Sequence, residues 1–175
     1  IEKYGADSLR YYLSTDVALG TDLRFDEVKI SSTWNYINKI WNASRFVLMN
    51  IEDLKELDFS NLKLQDKWIL SKYNKLVKSI TKHMDKYELN LAATELYEFT
   101  WNNFCDYYIE MSKAYLSDVT TKSILSYVLT GILKMLHPFM PFVTEEIYKM
   151  LNIKDKESIM ISEYPKYNKK EIFEE

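Results

Sequence analysis

The sequence has 175 residues, a formal net charge of −3, and 47% hydrophobic and 15% aromatic residues. A chain of this length buries about 70% of its unfolded surface, so one domain with a real core is expected; the slight acidity excludes a uniformly basic nucleic-acid binder but leaves room for a local basic patch. No apolar run reaches the roughly 18 residues of a membrane span, and the lone Cys105 excludes an internal disulfide and suits a reducing, cytoplasmic compartment.

The chain opens at Ile1 rather than Met and has no signal-like start, which reads as a piece of a longer chain. Only three Gly and three Pro occur, so hairpins and linkers have little room. The pattern from Gly5 to about Ala18 predicts a first helix with Leu9, Tyr12 and Leu13 inward. Gly20 interrupts it, and GTDLRF (20–25) reads as extended. Asp26 is placed to cap a long helix from Glu27 to about Asn50, with Glu27 favourable at its positive end. A polar connection covers 52–64. A third helix is predicted over about Gln65–Tyr87, and a fourth over about Asn90–Leu116. SDVTTK reads as a short link with good capping residues before a fifth helix, about Ser123–Leu136. Pro138 cannot continue that helix, whereas Pro141 suits the first turn of a sixth, ending near Leu151. SIMIS reads as a short extended piece before a charged end. The whole predicts an all-α bundle of five to six helices with a short extended tail.

Catalytic chemistry finds no constellation. His83 and His137 belong to no Glu-x-x-His pair, and one Cys with two distant His makes no zinc spacing. No glycine loop cradles a phosphate. Glu145 and Glu146 read as charges in the first turns of a helix, His137 as a helix-end residue, and Cys105 as a buried thiol.

The long second helix is more informative. On a wheel of about 100° per residue, Ile30, Trp34, Ile37, Trp41 and Leu48 form the core stripe. Asn35, Asn38, Asn42 and Arg45 gather on one flank, and Phe46 lies opposite the stripe. Amides match base edges, arginine bonds bases or phosphates, and an aromatic face stacks on a base. Two readings stay open: a face for unpaired nucleotides, or solvated helix surface with Phe46 packed under the 52–64 connection.

On the third helix, Lys72, Lys75, Lys78, Lys82 and Lys86 share one side, while Ile69, Leu76, Ile80, Met84 and Tyr87 should face the core. The next helix is acidic, with Glu88, Glu95, Glu98, Asp106 and Glu110. The lysines read either as a ridge for phosphates or as a solvated face paired with that acidic helix. Trp68, Phe99, Trp101, Phe104, Tyr107, Tyr108 and Tyr115 read mainly as core.

YGADSLRYYL (4–13), TDLRF (21–25), NKIWNASRFVLMN (38–50), DKWILSKYN (66–74), FCDYYIEMSK (104–113), LHPFMPFVTEEIY (136–148) and SIMISEYP (158–165) occur in this order. Together they resemble the region after the catalytic domain of valyl-tRNA synthetases, class I aminoacyl-tRNA synthetases. The likeness covers nearly the whole chain. It implies a helical anticodon-binding domain over 26–175, with 1–25 as the end of the linker region after the catalytic core. The HIGH and KMSKS signatures of the catalytic domain are absent, so no residue here is expected to be catalytic and none to bind metal. ATP with Mg belongs to the parent catalytic domain, and no cofactor to this segment. The implied partners are tRNA(Val), whose anticodons end in A and C, and the parent's own catalytic domain, with no membrane.

The family places anticodon contacts on the helix matching NKIWNASRF, which carries the role to Asn38, Asn42, Arg45 and Phe46. Arg10 of GADSLR and Arg24 of TDLRF, with Lys72, Lys75, Lys78 and Lys82, are the expected tRNA backbone contacts. Asn103 stands where the family commonly has an acid, Tyr107 where it has Trp, and Ala114 where it has Pro. The rival expectation from the residues is a helical protein-interaction scaffold that docks through the amide flank and binds no RNA.

Overall fold

Six helical rods follow one another in the computed structural model, which describes residues 2–15 and 25–173. They are α1 (Gly5–Thr15), α2 (Glu27–Asn50), α3 (Leu64–Asp85), a composite fourth rod, α6 (Val119–Leu136) and α7 (Pro141–Met150). The composite rod begins as α4 (Leu89–Glu98), runs as a π-helix over Phe99–Tyr108, and ends as α5 (Ile109–Ser112) with a 3-10 turn at Lys113–Tyr115. Among the described residues there is no strand, and no helix is long and apolar enough to cross a membrane. The expected all-α bundle is the observed one.

The helix ends follow their local chemistry. Asp26 accepts a hydrogen bond from the Val28 N–H at 2.9 Å, capping α2 as expected, and Asp118 does the same for Thr120 at the start of α6. Asp66, fully buried, accepts from the Lys63 N–H at 3.0 Å and from the Tyr108 hydroxyl at 2.7 Å, tying the start of α3 to the π-helix. Burial pushes the Tyr108 hydroxyl far above its usual range, as does the Asp66 carboxylate beside it. At the other end of α3, Tyr87 was expected in the core and instead is 73% exposed with φ of 59°. Its N–H bonds the Met84 carbonyl and the Glu88 N–H bonds the His83 carbonyl, a Schellman turn whose left-handed residue points outward.

Helix α6 is the centre of the bundle. It packs on α2, α3, α4 and α7, and is buried nearly all round. Gly131 is required there: a Cβ would stand inside contact distance of the Tyr73 ring and hydroxyl on α3. Helix α1 lies across α2, α4 and α7. Its inner face is Asp7, Ser8, Tyr11 and Tyr12, so Leu13, expected inward, is 51% exposed. Tyr11 takes that inner place, donating to the Ala93 carbonyl at 3.1 Å and meeting the rings of Tyr36 and Phe139.

Asp7 of GADSLR reaches the start of α7, accepting from the N–H of Val143 at 2.7 Å and of Phe142 at 3.4 Å. A carboxylate on those free amides favours the positive end of the helix. The SIMIS piece, expected extended, is a 3-10 turn at Ile159–Ile161. Glu145 explains it by accepting from the Ser158 hydroxyl and the Ile159 N–H, both at 3.1 Å. The tail then returns to α3, where Asn74 donates to Glu171 at 2.6 Å and accepts from the Asn168 N–H at 2.8 Å.

Candidate nucleic-acid interface

The interface is built on α2. Its buried residues are Ile30, Thr33, Tyr36, Ile37, Ile40, Ser44 and Val47. That stripe is centred about 40° from the wheel position of Ile37, toward Ile40 and Ser44. The rotation leaves Trp34, expected in the core, 39% exposed beside Gly5, and Trp41 and Leu48 only partly buried. It also turns Asn42 directly away from the core. Asn35, Asn42 and Arg45 are exposed and Asn38 is half-buried. Among the described residues, none of these side chains is held in a hydrogen bond or ion pair.

Phe46 differs from the expectation. It is half-buried and packed against the core cluster, on the α2 flank that meets the composite rod. The rod runs parallel to α2: Tyr36 meets Tyr97 and Trp101, Lys39 meets Trp101 and Asp106, and Phe46 meets Lys113. Lys39 stands 4.4 Å from the centre of the Trp101 ring and 2.5 Å from Asp106. Lys113 stands 5.9 Å from the Phe46 centroid and 2.7 Å from Glu110. A single-helix wheel carries no signal for this seam, because its second half comes from residues 60 or so positions later in the chain.

The α3 lysines lie where the pattern placed them. Lys72, Lys75, Lys78 and Lys82 are all exposed. Among the described residues none pairs with a carboxylate; the acidic helix uses its charges on His83, Lys39 and Lys113 instead. Lys78 stands 5.1 Å over the Tyr167 ring. Lys72 and Lys75 rim a cleft of about 970 Å³ floored by Trp68, Tyr107, Met111 and Phe173. Arg10 is exposed on α1, and Arg24 lies outside the described residues.

His137 Nδ1 lies 2.8 Å from the Thr144 hydroxyl, and burial lowers its pKa against the pull of Glu145 and Asp7. Cys105 is buried, which pushes its thiol up to about 12. No group of three or more His, Cys, Asp or Glu among the described residues could hold a metal ion.

Residues 66–175 match the family model described as the anticodon-binding domain of tRNA ligase. The chain belongs to this family. Relatives extend the likeness beyond that match to α2. A valine–tRNA ligase of Bacillus thuringiensis subsp. konkukian is 53% identical over 94% of this chain. One of Listeria monocytogenes is 50% identical over 98%, and one of Staphylococcus epidermidis is 50% identical over the full 100%. The chain spans about a fifth of the length of these relatives, 20% of the first two and 21% of the third. A solved ternary complex of Agrobacterium radiobacter K84 agnB2 LeuRS with tRNA and LeuAMS has the same fold, with a TM-score of 0.80 over 98% of this chain at 14% identity. The matched segment begins at Asp66, so the candidate flank on α2 precedes it.

Proposed function

We propose that this chain is the anticodon-recognition module of a cytoplasmic valine–tRNA ligase, and that the outward flank of α2 reads the anticodon of tRNA(Val). The observation that carries the reading is the state of that flank. Asn42 and Arg45 are exposed and unengaged among the described residues, with the Asn38 amide and the Phe46 ring beside them. A guanidinium and amides that no neighbour satisfies are ready donors and acceptors for unpaired bases. Relatives about half identical over nearly the whole chain, all named valine–tRNA ligase, support valine as the cognate amino acid. The parent enzyme then joins valine to the tRNA with ATP and Mg in a catalytic domain distinct from these residues. Residues 1–25 are the junction to that domain and 26–175 the RNA-binding bundle. Lys72, Lys75, Lys78 and Lys82 serve the phosphate backbone, supported by their exposure and by their forming no ion pair among the described residues; Arg10 and Arg24 serve it near the junction.

The test is binding of the 175-residue chain to an RNA hairpin with a valine anticodon loop. Arg45→Ala and Phe46→Ala should each weaken binding by about 1–3 kcal/mol, roughly 5- to 150-fold. Unchanged affinity in both variants contradicts the reading. Retention of a protein partner through the same flank, with no RNA bound, would support the interaction-scaffold alternative.

A further inference from the structure

Lys113 occupies the space over Phe46. The lysine closes the composite rod, at the start of its final 3-10 turn, and reaches across the seam to a ring on α2. Glu110, one turn earlier, accepts from its ammonium through both carboxylate oxygens at 2.7 Å. The lysine side chain is 49% exposed and the glutamate 60% exposed. The half-buried Phe46 ring therefore has an ammonium group over one face.

We propose that Lys113 is an RNA contact of the anticodon interface, which leaves Glu110 and the ring to pair with a phosphate of the nucleotide that stacks on Phe46. The proposal rests on the anticodon reading of α2. Three features carry it. The lysine is the cation that the composite rod brings to the ring. Its present partner is an exposed i, i+3 carboxylate, and such pairs contribute little, so exchange for a phosphate is easy. A phosphate contact also releases a condensed counterion, which an internal carboxylate cannot do. The parallel arrangement of Lys39 is not equivalent: its side chain is 28% exposed, so it is more enclosed between Trp101 and Asp106. Lys113 is thus the freer of the two seam cations. The interface becomes a cleft between two helices, with hydrogen bonding and stacking from α2 and charge from the rod.

The test compares wild type, Lys113→Gln, Lys113→Arg, Glu110→Gln and Phe46→Ala for binding to the valine anticodon hairpin across a salt series. Lys113→Gln should weaken binding about three- to tenfold and flatten the slope of log affinity against log salt by about 0.7, the value for one single-strand phosphate. Lys113→Arg should keep the slope, and Glu110→Gln should bind as tightly as wild type or more tightly. Thermal melts within a few degrees of wild type establish that each variant is folded. A wild-type slope in Lys113→Gln, or tighter binding from an uncovered ring, overturns the proposal while Phe46→Ala still upholds the anticodon reading. Loss of any effect in Phe46→Ala and Arg45→Ala marks failure of that reading instead.

Discussion

Arg45 and Phe46 are neighbours in sequence with different surroundings in space. The exposure of Arg45 and Asn42 was legible from helical periodicity alone, because polar residues opposite an apolar stripe have nowhere else to go. The burial of Phe46 was not, because it depends on a second helix that only tertiary structure supplies. Trp34 and Tyr87 were misplaced for related reasons. Trp34 sits at the rim of a stripe rotated toward Ile40 and Ser44, because a wheel centred on Ile37 gave no weight to a buried serine and to the side that the composite rod covers. Tyr87 ends α3 in a left-handed conformation, a place normally given to glycine. Gly131 gives a prediction at this scale. Its replacement by Ala gains helix propensity of up to about 1 kcal/mol, but the added Cβ overlaps the buried Tyr73 ring. Overpacking wins, because the added Cβ presses the buried ring toward Phe99 and Tyr127, whose ring centres lie 6.3 and 5.4 Å away. Gly131→Ala should lower stability by about 1–2 kcal/mol, seen as a fall of several degrees in the thermal midpoint; an unchanged or raised midpoint would show that the ring yields.

Between elements, carboxylates do the joining. Asp7 connects α1 to the amides of α7, so two motifs far apart in sequence, GADSLR and HPFMPF, meet as one structural device. No sequence rule pairs an acid with the start of a helix more than a hundred residues away. Asp155 joins three elements: it accepts from Lys134 of α6 at 2.9 Å, from the Tyr148 hydroxyl of α7 at 2.8 Å, and from the Glu163 N–H of the tail at 3.3 Å. Burial opposes its ionisation, but the bonds from Lys134 and Tyr148 outweigh it and hold the pKa near about 2. A depressed carboxylate pKa favours the folded state above the unfolded value of about 3.9. That contribution is lost as pH falls from about 4 toward 2. Asp155→Asn should therefore be less stable than wild type at neutral pH by about 1 kcal/mol, the modest value of a partly exposed pair. The gap between the two melting curves should close over that acid range. A gap independent of pH would show that Asp155 acts through packing alone.

For the whole molecule, fold class, helix order and most helix starts were readable because caps, prolines and apolar periodicity agree with one another. The π-helical stretch at Phe99–Tyr108 was not, since its residues fit an ordinary α-helical pattern equally well. Its consequence is architectural: it carries Trp101 and Asp106 to Lys39 and leads into Lys113, setting the rod beside the exposed flank of α2. Charge is segregated across the same body, with exposed lysines along α3 and two acids of the rod, Asp106 and Glu110, paired with lysines at the seam. An acidic chain can thereby offer RNA a cationic side. The most direct measurement is the affinity of the chain for two hairpins identical except at the last two anticodon bases, A and C in one and exchanged in the other. If α2 reads those bases, the valine hairpin binds at least tenfold tighter, and the preference disappears when Asn42, Arg45 and Phe46 are replaced together by Ala. Equal affinity for the two hairpins in the wild-type chain would contradict it.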